Sequence, residues 1–156
     1  MRNDKIRVAI VDDHQIVIDG IFALLKNEEG IDIVASTTSP SQILESLNIT
    51  EADVLITDVF MPEMNGRELA KKVKEKFPQT RILALSMSGQ GQMVDAMINE
   101  SDIAGYVLKN LSKEELLSAI QKIHAGGIYF SEEVILELST FSQIKKQNEE
   151  AHLTLR

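Results

Sequence analysis

The sequence predicts an α/β fold, a doubly wound five-stranded parallel sheet with one additional helix at its C-terminal end. Three observations predict it. Five short apolar runs alternate with five segments whose apolar residues recur at helical spacing. Acidic, hydroxyl and basic residues stand at the ends of four of those runs, where open α/β sheets build their crevice. A sixth amphipathic segment follows the last unit.

The elements follow in order. Ile6-Arg7-Val8-Ala9-Ile10-Val11 is a β-branched run ended by two aspartates, and Ile16, Val17, Gly20, Ile21, Leu24 and Leu25 then recur at helical spacing. Ile31-Asp32-Ile33-Val34-Ala35 is a second strand. Ser39-Pro40 opens a second helix carrying Ile43, Leu44 and Leu47. Asp53-Val54-Leu55-Ile56-Thr57 is a third strand, and a helix over residues 66–76 turns Leu69, Ala70 and Val73 inward before Pro78. Arg81-Ile82-Leu83-Ala84-Leu85 is the fourth strand. Gly89 and Gly91 then open a Met-rich helix over 93–98, weakened because glycine costs up to ~1 kcal/mol per residue in a helix. Ala104-Gly105-Tyr106-Val107-Leu108 is the fifth strand. Ser112 and Glu115 form a capping box for a helix with Leu116, Leu117, Ile120 and Ile123 on one face, stopped at Gly126-Gly127. Strand-then-helix units in series predict a parallel sheet covered on both faces.

Composition narrows the function classes. The 156 residues suit one ordinary domain and are short for two. A formal net charge of −8, from 24 acidic and 16 basic side chains, argues against a broad basic face for nucleic acid. The absence of cysteine excludes a disulfide framework, a thiolate metal site and a cysteine nucleophile. No apolar run approaches the ~18 residues of a membrane span, and Met1-Arg2-Asn3-Asp4-Lys5 opens no signal peptide. The expected location is the cytoplasm, with no membrane partner.

The polar residues at the strand ends are Asp12-Asp13, Asp58, Ser86 and Lys109. Three carboxylates brought within a few ångströms repel one another strongly unless a cation sits among them. Mg²⁺ suits such a site, since it takes hard oxygen ligands and retains waters for a phosphate. Lys109 supplies a point positive charge for phosphate oxygens, and Ser86 a hydroxyl. A nucleophilic carboxylate, a metal, a cationic clamp and a hydroxyl make a phosphoryl-transfer site whose product is an aspartyl phosphate. An isolated Asp-Asp pair is more often turn chemistry. Four strand ends carrying this set in order favour function.

Val11-Asp12-Asp13-His14, Asp58-Val59-Phe60-Met61-Pro62-Glu63-Met64-Asn65-Gly66, Leu85-Ser86 and Gly105-Tyr106-Val107-Leu108-Lys109 resemble the signatures of response-regulator receiver domains over about residues 5 to 125. The resemblance implies a flavodoxin-like strand order 2-1-3-4-5. It also implies Asp58 as phosphoacceptor, and Asp12, Asp13, Asp58 and the Phe60 backbone carbonyl as Mg²⁺ ligands. Ser86 and Lys109 are implied as the groups touching the phosphoryl oxygens, and Tyr106 as the switch aromatic. The implied partner is a sensor histidine kinase; the chain accepts phosphate on itself and is not otherwise an enzyme. On phosphorylation Ser86 moves toward Asp58 and Tyr106 turns inward. The face of the fourth helix, fifth strand and fifth helix is remodelled and promotes homodimerisation. Asn110 stands where the family often has a proline preceded by a cis bond, and non-proline cis bonds are costly. Position 86 is Ser where many members have Thr, and the hydroxyl survives.

His14, beside a helix start, reads as a local structural residue, because the carboxylates already suffice as ligands. Met87, Met93 and Met97 read as core filling. Past residue 127, Ser131 and Glu132-Glu133 open a sixth helix with a Val134, Leu138 and Phe141 stripe flanked by Ile135 and Ile144. It must bury that stripe on the receiver, a second copy or a further domain. Residues 143–150 turn polar and read as linker. Leu153-Thr154-Leu155-Arg156 resembles the opening of a LuxR-type helix-turn-helix domain. The expected division is therefore 1–127 receiver, 128–150 extra helix and linker, and 151–156 the start of a DNA-binding domain otherwise missing from the chain. A stand-alone receiver signalling by protein contact is the alternative. A phosphohydrolase would carry Asp-x-Asp after the first strand, and a flavin module a Ser/Thr/Gly-rich loop after Val11; neither is present.

Overall fold

The fold rests on strands whose side chains divide between two apolar layers. In the computed structural model, which describes residues 4–87 and 91–154, β1 (Ile6–Val11) shows the division directly. Val8 and Ile10 enter one buried cluster and Ala9 and Val11 the other, as period-2 alternation in a two-sided sheet requires. The remaining elements are α1 (Gln15–Leu25), β2 (Ile31–Thr37), α2 (Pro40–Ile49), β3 (Val54–Asp58), α3 (Gly66–Lys76), β4 (Arg81–Ser86), α4 (Gly91–Ser101), β5 (Gly105–Leu108), α5 (Lys113–His124), β6 (Tyr129–Phe130) and α6 (Glu132–Thr154). Helices α1 and α5 supply the first cluster; α2, α3 and α4 supply the second, joined by Val134 of α6.

The sheet is parallel throughout, in the order β2-β1-β3-β4-β5-β6. The first five strands keep the expected succession, but the sheet has six strands and not five. Tyr129 N–H donates to the Ala104 carbonyl (3.0 Å) and Ser131 N–H to the Tyr106 carbonyl (3.1 Å). Gly105 permits this edge, since a Cβ there would lie 2.5 Å from the Tyr129 carbonyl oxygen. Two residues between a Gly-Gly stop and a Ser helix start carry no periodic signal, so β6 escapes a reading by pattern.

Three further expectations change. Helix α1 packs Val17, Ile21, Leu24 and Leu25 on the core as expected, but adds Ile18 to that face and leaves Ile16 80% exposed. Met97 fills the core, whereas Met87 is 79% exposed and fills nothing. The polar residues 143–150 continue α6 rather than leaving it. Apart from Ile144 they are Lys, Gln, Glu and Asn with no Gly or Pro among them, and most are good helix formers. Gly89, expected to open the Met-rich helix, lies outside the described residues, as do Leu155 and Arg156.

Caps fix the helix starts. Ser39, Asn65 and Ser112 accept hydrogen bonds from the backbone N–H of Gln42, Glu68 and Glu115. At Ser112 only half of the capping box is completed by these contacts: the Glu115 carboxylate accepts from the Tyr129 hydroxyl (3.2 Å). Helix α6 lies on α4 and on β5. Val134 is fully buried, and Leu138 and Phe141 are half-buried. The stripe therefore rests on the receiver itself.

Candidate functional site

Register places the site. Val11 of β1 pairs with Thr57 of β3, so Asp12 and Asp58 leave adjacent strands at the same edge of the sheet. Asp58 pairs with Leu85 and Ser86 with Leu108, which brings Ser86 and Lys109 to that edge as well. The Lys109 N–H donates to the Ser86 carbonyl (2.8 Å), tying the two loops together. The bond between Lys109 and Asn110 is trans, as there is no cis peptide among the described residues.

The Lys109 ammonium lies 2.9 Å from Asp12 Oδ2 and 3.3 Å from Asp58 Oδ1. Burial alone would lower the lysine, but Asp12 and Asp58 outweigh it and hold it above its usual value. Ligand atoms of Asp12, Asp13, His14 and Asp58 all lie within 4.8 Å of one another. Asp12 Oδ2 and Asp13 Oδ1 are buried, and beyond their ion-pair contacts to Lys109 and to the His14 ring they have no further partner among the described residues. Spare lone pairs on crowded carboxylates are what a hard divalent cation takes, so this donor set fits Mg²⁺. Phe60 stands just past the end of β3, with its ring half exposed.

Asp58 is almost fully buried. Burial, the Asp13 hydrogen bond and the Asp12 charge push its carboxyl up to about 6, against the opposing pull of Lys109. Its Oδ1 accepts from Val59 N–H (2.8 Å), which fixes the rotamer. Two supports were not read from the sequence. The Thr57 hydroxyl donates to the Asp58 carbonyl (2.9 Å). Gly66 lies against the Asp58 backbone, where any Cβ would overlap the Asp58 carbonyl oxygen, and its N–H donates to the Val59 carbonyl (2.8 Å). The signal for Gly66 was present, as the last residue of the Asp58–Gly66 motif.

His14 caps the geometry of the acidic turn. Its N–H donates to Asp12 Oδ1 (2.9 Å) and its Nδ1 lies 3.2 Å from Asp12 Oδ1 and 3.1 Å from Asp13 Oδ1, while most of the side chain is exposed. Ser86 is buried. Tyr106 is fully buried too, its ring already inside, rather than outside awaiting a signal. Burial pushes the Tyr106 phenol up while the neighbouring Ser86 hydroxyl acts in the opposite direction, and the phenol oxygen makes no well-formed hydrogen bond.

Residues 8–121 match the model of the response regulator receiver domain family. The chain belongs to that family. It is a response regulator receiver of the kind used in two-component systems. It is 32% identical over 127 residues to the transcriptional regulatory protein MctR of Rhizobium johnstonii, across 81% of this chain and 59% of MctR. It is 27% identical to the transcriptional regulatory protein LnrK of Bacillus subtilis, across 97% of this chain and 73% of LnrK. The receiver thus spans about three fifths of the first relative's length. Among solved structures it resembles the isolated receiver domain of RcsB from Salmonella enterica serovar Typhimurium with the phosphomimetic BeF3⁻, at a TM-score of 0.79 and 31% identity, covering 86% of this chain and 99% of that one. Two RcsB dimers bound to two parallel DNAs match at a TM-score of 0.79 and 31% identity, covering 86% of this chain and 68% of that one. The relatives are NarL/LuxR-family response regulators.

Proposed function

We propose that this receiver accepts one phosphoryl group on Asp58 from the phosphohistidine of a sensor kinase and passes the change to a transcription-regulatory domain. The observation that carries the proposal is the Asp58 carboxylate, buried between an acidic pair with spare lone pairs and the Lys109 ammonium. An Asp58 carboxylate oxygen attacks phosphorus; the P–N bond breaks and its electron pair leaves on the imidazole, which takes a proton. Lys109 offsets charge on the phosphoryl oxygens, and Ser86 donates a hydrogen bond to one of them. Mg²⁺, held by Asp12, Asp13, Asp58 and the Phe60 carbonyl, supplies charge neutralisation when bound. The same set serves small phosphodonors, so the chain is a self-modifying acceptor and not a turnover enzyme.

The modified state adds about −1.5 to −2 of charge at the strand ends and draws Ser86 toward it. Tyr106 fills the space behind, and the α4, β5 and α5 face changes with it, leading to a phosphorylation-dependent homodimer. Helix α6 already lies across α4, so the chain's own helix shares that face. RcsB dimers on DNA support a DNA-reading output. The contact would be made by a helix-turn-helix domain opening at 151–156 and following the receiver at 1–127 and the connecting segment at 128–150. Among the described residues no helix is long and apolar enough to cross a membrane; the proposed site of action is the cytoplasm, where two-component receivers of this family work.

Incubation with acetyl phosphate and Mg²⁺, read by intact mass, tests the acceptor. The wild type gains one phosphoryl group and Asp58→Asn none; modification of that variant at the wild-type rate removes the assignment.

A further inference from the structure

Tyr106 sits fully inside although its phenol oxygen makes no well-formed hydrogen bond. A buried hydroxyl with no well-formed hydrogen bond gains by reaching water, so an inward ring needs a cover. The cover is the start of α6. Residue Tyr106 of β5 pairs with Phe130 of β6, and the Tyr106 carbonyl accepts from Ser131 N–H at the start of α6. One turn on, Val134 is 0% exposed and belongs to the same apolar cluster as Tyr106, Val94 and Met97, with Leu138 packed against it. The serine at that helix start does no capping: its hydroxyl is buried without a hydrogen bond. The α6 start is therefore held by its backbone tie to β5 and by Val134, not by a side-chain cap.

We infer that Val134 and Leu138 are positioning residues, whose docking on α4 and β5 keeps the Tyr106 ring inside behind Ser86 and thereby favours the phosphorylated state of Asp58. The inference rests on the proposed acceptor role. Phosphorylation draws Ser86 forward and leaves space that only an inward ring fills, so both events select one arrangement of β5. Coupling of that kind is reciprocal: docking of α6 strengthens phosphoryl retention, and a phosphoryl group strengthens docking.

Beryllium fluoride with Mg²⁺, titrated against the full chain and followed by ¹⁹F NMR, measures affinity for a phosphoryl mimic without turnover. Backbone hydrogen exchange over 105–108 measures the cover itself. Val134→Asp should bind the mimic about tenfold more weakly and exchange β5 amides about tenfold faster, within the usual range of coupling. Val134→Ile should restore both. Ile135→Asp, on the same helix but at a position 53% exposed, should change neither. Adding Tyr106→Phe to Val134→Asp removes the hydroxyl that draws the ring outward and should recover part of the affinity. Should circular dichroism show Val134→Asp unfolded, Leu138→Ala replaces it, with the same signs and smaller size. Wild-type affinity and wild-type exchange in the folded variant would overturn the inference. If the wild type itself takes up no beryllium fluoride, the acceptor reading fails instead, and the exchange data still decide whether α6 covers Tyr106.

Discussion

The two ends of the sheet use the same residue types to opposite effect. At the amino end, Asp53 accepts from Arg7 N–H (2.9 Å) and the Thr80 hydroxyl donates to the Ala52 carbonyl (2.8 Å). The backbone of Asp53 is tied as well, to Arg7 (2.8 Å) and Arg81 (2.9 Å). At the carboxyl end, Asp12 and Asp13 each keep a buried carboxylate oxygen without a hydrogen bond, beside a third acid whose proton is held up to about 6. A polar side chain that closes backbone groups is architecture, because removing it leaves those groups unpaired. Acids crowded together with spare lone pairs are a standing electrostatic penalty, which Lys109 offsets in part and a bound cation relieves further.

The comparison breaks most visibly in metal affinity. Asp13→Asn should weaken Mg²⁺ binding by about 100-fold, the upper end of the 10–100-fold typical of losing a mere supporting partner. His14→Ala should change it less than about threefold, since the ring leans on the acids from an exposed position. Titration calorimetry reads both, and a larger loss for His14 would make the histidine a ligand.

Much of this contrast was legible in the residues. Asp12-Asp13, Asp58, Ser86 and Lys109 each end an apolar run, and parallel strands must bring their ends to one edge. What pattern could not give was everything set by close approach. Strand β6 exists because Gly105 admits the Tyr129 carbonyl, and a two-residue strand has no period to detect. On α1 only the first member of the stripe differs, Ile18 in place of Ile16, because the two are equally apolar and only packing on α5 and the sheet selects Ile18. The inward Tyr106 depends on a helix begun some 25 residues later, a tertiary contact with no local signature.

A sharper test uses pH. The Asp58 carboxyl binds its proton more tightly folded, near 6, than at its usual 3.8. Its contribution to stability is therefore fully present below that ordinary value and is lost as pH rises through about 6. The metal-free protein should melt at a lower temperature at pH 7 than at pH 5, an effect that Asp58→Asn flattens and Mg²⁺ offsets by favouring the carboxylate. Reactivity runs the other way. The attacking group is the ionised form, so labelling should fall about tenfold per pH unit below its midpoint. The metal should shift that midpoint downward from about 6. A labelling rate flat from pH 7 to 5 without metal would mean that Asp58 is already ionised there.

The smallest effect belongs to the satisfied end. Thr80 is buried, and its hydroxyl supplies the Ala52 carbonyl in the loop before β3. Thr80→Val keeps the volume and removes the donor, leaving that carbonyl short of a partner at a cost of about 1–2 kcal/mol. Denaturant melts should show that loss in the midpoint with the slope unchanged. Labelling of Asp58 and Mg²⁺ affinity should both stay at wild-type values, because Thr80 lies just before β4 and Asp58 at the far end of the neighbouring β3. A variant that lost phosphorylation in step with stability would show the two ends of the sheet to be one energetic unit, and the division between architecture and site would fail there.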